Sequence, residues 1–457
     1  MPDIVIIGAG PAGIRAAETL AEQGLPVTLI DEGERGGGQI YRRQPEGFRR
    51  SYAALYGGEA GKAKALHDAF DRLKGRIDYR PNTLAWNIAD NVLHTVTGAV
   101  ARRVRFDAAI LATGATDRLI PVDGWTTPGV YSLGAAQISL KAQACAIGGA
   151  VVFMGTGPLL YLVACQYAKA GASVAAVLDT SPLSARRQAL PRLLASRPGL
   201  ALRGLGLMLR LRSAGIAIET GITPLAIAND GAGVAGLRYR RGDGEIVELA
   251  CDAVGLGYHL RPETQLADLA GCAMSFDETS RLWLPKTDAD GRASIAGLYL
   301  AGDGARIAGA DAAENSGRLA AYAVLADLGC PVPENKRRAL HRAARRLERF
   351  RLALAQAFPW PYWLGKELAD DVLVCRCEKI SAGELRHAAT ILDATELNRA
   401  KAFSRVGMGR CQGRYCGTIA AEIVAAAAGR PVDSIGRLRG QAPVKPLPLA
   451  TTAEEAA

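Results

Sequence analysis

Apolar and polar positions alternate along this chain with two periods. Asp3 to Ile7 opens into a short, nearly continuous apolar run, the pattern of a strand buried on both faces. Ile14 to Gln23 is apolar at helical spacing, and Val27 to Ile30 is a second buried run. The same strand–helix–strand order returns at Ala150–Met154, Leu159–Ala170 and Val174–Leu178, followed by a helical insertion at about 183–214. Strand-like segments occupy 216–256, with a hairpin turn at Arg238 to Gly244. A strand at Leu298–Leu300 and a helix at Ala312–Leu325 lead to a boundary marked by Gly329, Pro331 and Pro333. Beyond it come a charged helix, the aromatic segment Phe358 to Trp363, a small cysteine-bearing unit and a proline-rich tail that reads as extended. This order predicts an α/β protein with two Rossmann-like βαβ units.

Composition narrows the class. The chain has 457 residues, 49% apolar and 22% charged, enough for two or three domains with their own cores. It carries 52 glycines and only 6% aromatics, which suits backbone running close to ligands. The net charge of +10 is concentrated in Arg-rich stretches at 183–212 and 336–351. Both have apolar residues at helical spacing and no interleaved stacking aromatics, so they read as solvated or partner-facing helices rather than a nucleic-acid surface. No apolar run reaches the ~20 residues of a membrane span. The start lacks the pattern of a secretory signal, which points to the cytoplasm, where nine cysteines are not a disulfide framework.

Gly8-Ala9-Gly10-Pro11-Ala12-Gly13 lies between the first strand and the first helix. A lone G-x-G-x-x-G is weak evidence, and a glycine-rich turn is its plain alternative. Here the context is complete: Gly8 for the turn, Gly10 for approach to a pyrophosphate, Gly13 for close packing of helix and strand, and a helix N-terminus for the phosphates. Asp31, 23 residues after Gly8, ends the second strand where a ribose would lie. Three further segments choose among dinucleotides: Gly37-Gly38-Gln39, Thr113-Gly114 and Gly302-Asp303. In this order they resemble the FAD fingerprint of the glutathione-reductase-like, two-dinucleotide-binding flavoproteins. The resemblance implies that Asp303 binds the ribityl chain of FAD. Alone, Asp303 would read as a turn or N-cap aspartate.

The second unit carries Gly155-Thr156-Gly157, with Leu160 in place of a third glycine, and Asp179, 24 residues after Gly155, as its ribose acceptor. No arginine directly follows Asp179, which disfavours a 2′-phosphate. The site reads either as holding NAD or another adenine nucleotide such as ATP, or as vestigial. No redox cysteine pair follows Gly38 or accompanies Cys145, so disulfide-reductase activity is not expected, and Cys145 reads as a small buried residue.

Cys375 and Cys377 form one close pair, and Cys411 and Cys416 another. Four thiolates suit tetrahedral zinc or an iron–sulfur cluster. Residues one apart on an extended segment point away from each other, which favours the larger [2Fe–2S] core over one ion. Ser381 to Glu384 reads as a capping box between the pairs. Residues 371–430 resemble the bacterioferritin-associated-ferredoxin-like [2Fe–2S] domain. His387 on that helix reads as a surface residue. His67, His94 and His341 sit in no catalytic motif, and packing is the simplest role for His259 and Arg261.

The motifs together divide the chain into an FAD-binding domain (1–135 and 255–330), a second nucleotide-binding domain (136–254), a helical linker (331–370), the [2Fe–2S] domain (371–430) and the tail (431–457). Gly37 to Arg42, Gly157 to Val163, Gly257 to Pro262 and Ala301 to Gly304 are similar to the α (A) subunits of opine oxidases. They are similar also to the matching subunits of hydroxyproline and proline dehydrogenases and cyanide-forming glycine dehydrogenase, and to part of the sarcosine oxidase α chain. The resemblance implies an electron-transferring FAD and [2Fe–2S] subunit, with the amino or imino acid oxidised on a separate D-amino-acid-oxidase-like β subunit. A small third subunit can accompany the two. Two alternatives stand: a self-contained NAD(P)H-dependent reductase, and a non-catalytic scaffold with structural zinc.

Overall fold

A computed structural model describes residues 1–48 and 50–453. Its first sheet has five parallel strands in the order Leu298–Leu300, Ala108–Leu111, Ile4–Ile7, Val27–Ile30 and Asp78–Arg80. Ile4 pairs in register with both Val27 and Ala108, and every residue from Ile4 to Ile7 is buried, as the unbroken apolar run requires. The helices Pro11–Ala21 and Ala310–Asp327 pack together on one face. Their approach depends on Gly317, where a Cβ would stand 2.1 Å from the Ala12 carbonyl oxygen. An antiparallel layer of Thr83–Ala89, Val92–Thr97 and Val100–Arg105 completes this unit.

The second sheet is also parallel, in the order Ala217–Thr220, Val174–Asp179, Val151–Thr156, Ala253–Tyr258 and Val130–Ser132. It reaches beyond the expected 136–254 on both sides, because Val130–Ser132 and the end of Ala253–Tyr258 complete its edge. In both sheets the glycine loops leave the carboxyl ends of strands, where open α/β sheets bind ligands.

The insertion is two helices, Leu183–Ser196 and Pro198–Ser213. The charged helix Glu334–Ala357 packs against the first of them through Ala189, Leu193, Ala353 and Ala357. The two Arg-rich stretches therefore meet each other, and Arg346 donates to the Ser196 carbonyl at 2.8 Å. Leu202 and Leu209 of the second helix stay exposed.

The cysteine unit is built from the strand Leu373–Cys375, the helix Ala382–Thr390 and the helix Gly417–Ala428. Ser381 and Glu384 form the expected capping box. This unit shares one apolar core with the second sheet: Met154, Leu178 and Tyr258 are continuous with Trp360, Leu364, Ala420 and Ile423. The tail departs from a simple extended segment. Val444 is buried in the first unit's core, Arg437 pairs with Asp268, and Thr452–Ala453 adds a strand beside Val100–Arg105. Residues 454–457 of the expected tail lie outside the described residues. Among the described residues no helix is long and apolar enough to cross a membrane.

Candidate functional site

The first glycine loop is shaped by backbone contacts that admit no side chain. Gly8 has φ +108°, and a Cβ there would lie 2.3 Å from the Ala112 carbonyl oxygen. At Gly13 a Cβ would meet the Gly8 carbonyl oxygen at 1.8 Å, so helix and strand touch through this residue. Gly10 faces the Cα of Gly38, which itself has φ +64°, and Gly37 donates to the Ala9 carbonyl at 2.8 Å. The two glycine segments therefore form one wall. Asp31 is partly exposed and accepts one N–H on each oxygen, from Ala9 at 2.5 Å and Gly33 at 2.6 Å. Each oxygen keeps a lone pair for a hydroxyl. Burial raises the Asp31 pKa against the pull of those two N–H groups. Gln39 is exposed and accepts from Arg42 at 2.6 Å.

The opposite wall is the loop after Leu298–Leu300. Gly302 has φ +69° and donates to Ser316 Oγ at 2.8 Å. Asp303 Oδ1 accepts from Ala308 at 2.8 Å and Gly309 at 3.1 Å. Among the described residues no donor reaches its other oxygen, which can take a ligand hydroxyl. Thr113 donates its hydroxyl to the Glu263 carbonyl at 2.6 Å, and nothing lies within 4 Å of a Cβ at Gly114. Carboxylates with acceptor capacity left at Asp31 and Asp303, and the glycine segments between them, suit a dinucleotide.

The four cysteines come together two by two. The Cys375 thiol interacts with that of Cys416 and the Cys377 thiol with that of Cys411, and Cys416 also lies in the field of Cys411 and Cys377. Among the described residues, no three His, Cys, Asp or Glu side chains are drawn in as ligands of one ion. The Cys416 bond, then backbone N–H groups of Gly407, Glu378 and Cys377, outweigh desolvation and push the Cys375 thiol down to about 6. The Cys375 thiol, and after it burial, raise Cys416 in turn. Cys416 caps the helix Gly417–Ala428, whose dipole favours negative charge at that point. Glycine makes the tight return of this loop feasible: at Gly409 a Cβ would lie 2.3 Å from that of Cys377.

Arg414, between Cys411 and Cys416, joins the two sites. It donates to Glu263 at 2.6 Å, to the Val444 carbonyl at 2.6 Å and to the Cys411 carbonyl at 3.2 Å. Glu263 donates its N–H to the Gly114 carbonyl at 2.9 Å. Arg261 reaches the Arg414 carbonyl at 2.9 Å, and Gln265 the Gln412 carbonyl at 2.7 Å. Sequence reasoning missed Glu263 and Arg414. Only the position of Arg414 between two cysteines hinted at its part.

Two expectations are corrected. Asp179 does not present an acceptor to a ribose: its carboxylate is 0% exposed and bonded within the protein, because Arg186 and Tyr161 reach it from flanking helices. Gly155 and Gly157 keep their loop, with φ of +146° and +110°. Cys145 is exposed rather than buried, because it falls in the loop after the helix Leu133–Ala142.

Residues 2–317 match the family model of the pyridine nucleotide-disulphide oxidoreductases, and residues 374–455 match the sarcosine oxidase A3 domain. The opine oxidase A chain of Agrobacterium tumefaciens is 39% identical over 99% of this chain and 91% of its own length. Hydrogen cyanide synthase subunit HcnB of Pseudomonas protegens is 32% identical over 97% of this chain and 96% of its own. The crystal structure of L-proline dehydrogenase from P. horikoshii shares the fold, with a TM-score of 0.71 at 20% identity, over 99% of this chain and 79% of that one. The chain belongs to the pyridine nucleotide-disulphide oxidoreductase family of flavin oxidoreductases, in the group of the opine oxidase A subunits.

Proposed function

We propose that this chain is the FAD- and [2Fe–2S]-containing electron-transfer subunit of a heteromeric, cytoplasmic amino or imino acid oxidase or dehydrogenase. The observation that carries this is the Arg414 bridge, which ties the Thr113–Gly114 wall of the dinucleotide cleft to the cysteine loop. The names of the relatives, subunits of opine oxidase and hydrogen cyanide synthase, support a partner chain. That partner is a D-amino-acid-oxidase-like β subunit that oxidises the substrate, an opine, hydroxyproline, proline or glycine.

When bound, FAD exchanges electrons in pairs and an iron–sulfur cluster singly, so together they link a two-electron donor to a one-electron acceptor. The residues of this chain bind and orient. Gly8 makes the turn, Gly13 lets helix and strand touch, and Gly10 lets the pyrophosphate approach the helix N-terminus, while Asp31 takes the adenosine ribose and Asp303 the ribityl chain. Gly37, Gly38, Gln39 and Gly114 line the cleft between them. Cys375 with Cys416 would hold one iron, and Cys377 with Cys411 the other. Cys375 and Cys377, one residue apart on a strand end, suit a two-iron core better than a single tetrahedral ion. Backbone N–H groups at Cys375 would help set the cluster's potential.

The test is anaerobic mixing of the purified chain with candidate substrates, with and without the β subunit. Bleaching of the flavin and cluster bands is expected only when both chains are present. Rapid turnover by this chain alone, or zinc in place of iron on metal analysis, would refute the assignment.

A further inference from the structure

We infer that the second dinucleotide unit is closed by the chain's own side chains, so that no pyridine or adenine nucleotide occupies it and no electrons enter through it. The unit keeps the strand, the glycine turn and the helix Pro158–Lys169, yet each place a nucleotide would take is filled.

The ribose acceptor is saturated. Asp179 Oδ1 accepts from the Ser181 N–H at 2.7 Å, the Ser181 hydroxyl at 2.6 Å and the Thr156 hydroxyl at 3.2 Å. Its Oδ2 accepts from Tyr161 at 2.8 Å and Arg186 at 2.5 Å. A carboxylate offers about four lone-pair positions, and five donors already converge here. Asp31, its counterpart in the first unit, receives only two.

The phosphate place is taken as well. The second glycine of such a loop leaves a gap through which a pyrophosphate approaches. At Gly157 that gap holds the His259 ring: a Cβ would lie 3.2 Å from His259 Nδ1. His259 has φ +67°, an uncommon conformation for a residue with a side chain, and its N–H is fixed on the Thr156 carbonyl. Desolvation and the charge of Arg118 outweigh a bond with the Phe358 backbone and push the His259 pKa down to about 4. The ring is therefore neutral at physiological pH and offers a phosphate no charge.

The aromatic segment after Glu334–Ala357 closes the mouth. Arg186 lies 5.0 Å from the Phe358 ring and 5.2 Å from that of Tyr161. Trp360, two residues on, carries Arg118 at 3.3 Å over its ring and donates to Glu422 at 3.2 Å. Residues 358–360 thus form a strap pinned to the second unit at one end and to the cysteine unit at the other. Thr180 Oγ1 and Arg186 Nε are buried without partners. These are single atoms that a water satisfies.

A nucleotide would have to break the buried Arg186–Asp179 pair and lift the strap. Breaking such a pair weakens binding by about 10²–10³-fold relative to an open site. The inference stands apart from the electron-transfer assignment and survives its failure. It excludes the self-contained NAD(P)H-dependent reductase.

The experiment titrates the FAD-loaded full chain with NADH, NADPH and ATP to about 10 µM, which fills an open micromolar site and leaves one so weakened largely empty. Hydrogen exchange is followed at 181–186 and 357–361. No saturable binding, unchanged exchange in both segments and no flavin bleaching by NADH are expected. Binding that leaves both segments unchanged places the nucleotide elsewhere and upholds the closure. Saturable binding that accelerates exchange in them, or fast bleaching by NADH, overturns it.

Discussion

Glu263→Gln removes one negative charge from the junction between the dinucleotide cleft and the cysteine loop and keeps its shape. The Glu263 and Arg414 side chains are only 11% and 8% exposed, and their contact is 2.6 Å. Arg261 bonds the Arg414 carbonyl and lies in the field of the same carboxylate. Two poorly hydrated guanidiniums thus share one anion. Breaking a buried pair by removing one partner costs about 3–5 kcal/mol. A loss of that size, confined to the junction, speeds local opening about 10²-fold or more. The assay is native-state hydrogen exchange at pH 7 on Glu263, whose N–H is held by Gly114, and on Arg414 and Gly417, held by Cys411 and Gly413. Both sets of amides should exchange faster together in the variant. The pH dependence has a defined sign. Burial acts to raise the Glu263 pKa, but the charges of Arg414 and Arg261 prevail and hold it below its ordinary 4.5. The difference between wild type and variant is therefore complete above pH 4.5 and fades as pH falls through the lower folded value. A change within threefold at pH 7, or a response in one segment only, would refute the bridge as a mechanical link.

Gly13→Ala places a methyl 1.8 Å from the Gly8 carbonyl oxygen and should abolish FAD retention, read as loss of flavin absorbance after gel filtration. Cys411→Ser should remove most iron, while Cys145→Ser, at an exposed position, should leave iron content unchanged by elemental analysis. Lys141 is 8% exposed, its ammonium lies 5.9 Å from the Tyr56 ring, and desolvation pushes its pKa down to about 8. Lys141→Met should raise stability at pH 7 by about 1–3 kcal/mol in urea titrations. Because the folded lysine releases its proton before the unfolded one, that advantage should shrink as pH rises from about 8 to 10.5.

What was legible in the sequence was local. Gly8, Gly10, Gly13 and Asp31 belong to one strand–turn–helix–strand, whose geometry follows from spacing. Asp179 has equivalent spacing and a different fate. An aspartate at a strand end faces a ligand or the protein according to what neighbouring helices bring to it, and here Tyr161 and Arg186 arrive first. Gly317 was missed because a helical glycine carries no motif, although its missing side chain lets two helices touch. Glu263 and Arg414 lie 151 residues apart, and no periodicity links them. The tail's prolines suggest an extended segment and say nothing of the helical turn Val432–Ile435, the strand Thr452–Ala453 or Val444, which is buried by contacts far away in the chain.

The flavin-binding unit is assembled from early and late parts of the chain. Its sheet takes an edge strand from 298–300, its core takes Val444, and Thr452–Ala453 joins its antiparallel layer. During synthesis the glycine loop at residues 8–13 emerges long before these pieces exist. The wall at Thr113 is not tied down through Glu263 until the cysteine loop that carries Arg414 has been made. A ribosome stalled between the two nucleotide units would display a half-built sheet with an open apolar edge at Ala108–Leu111.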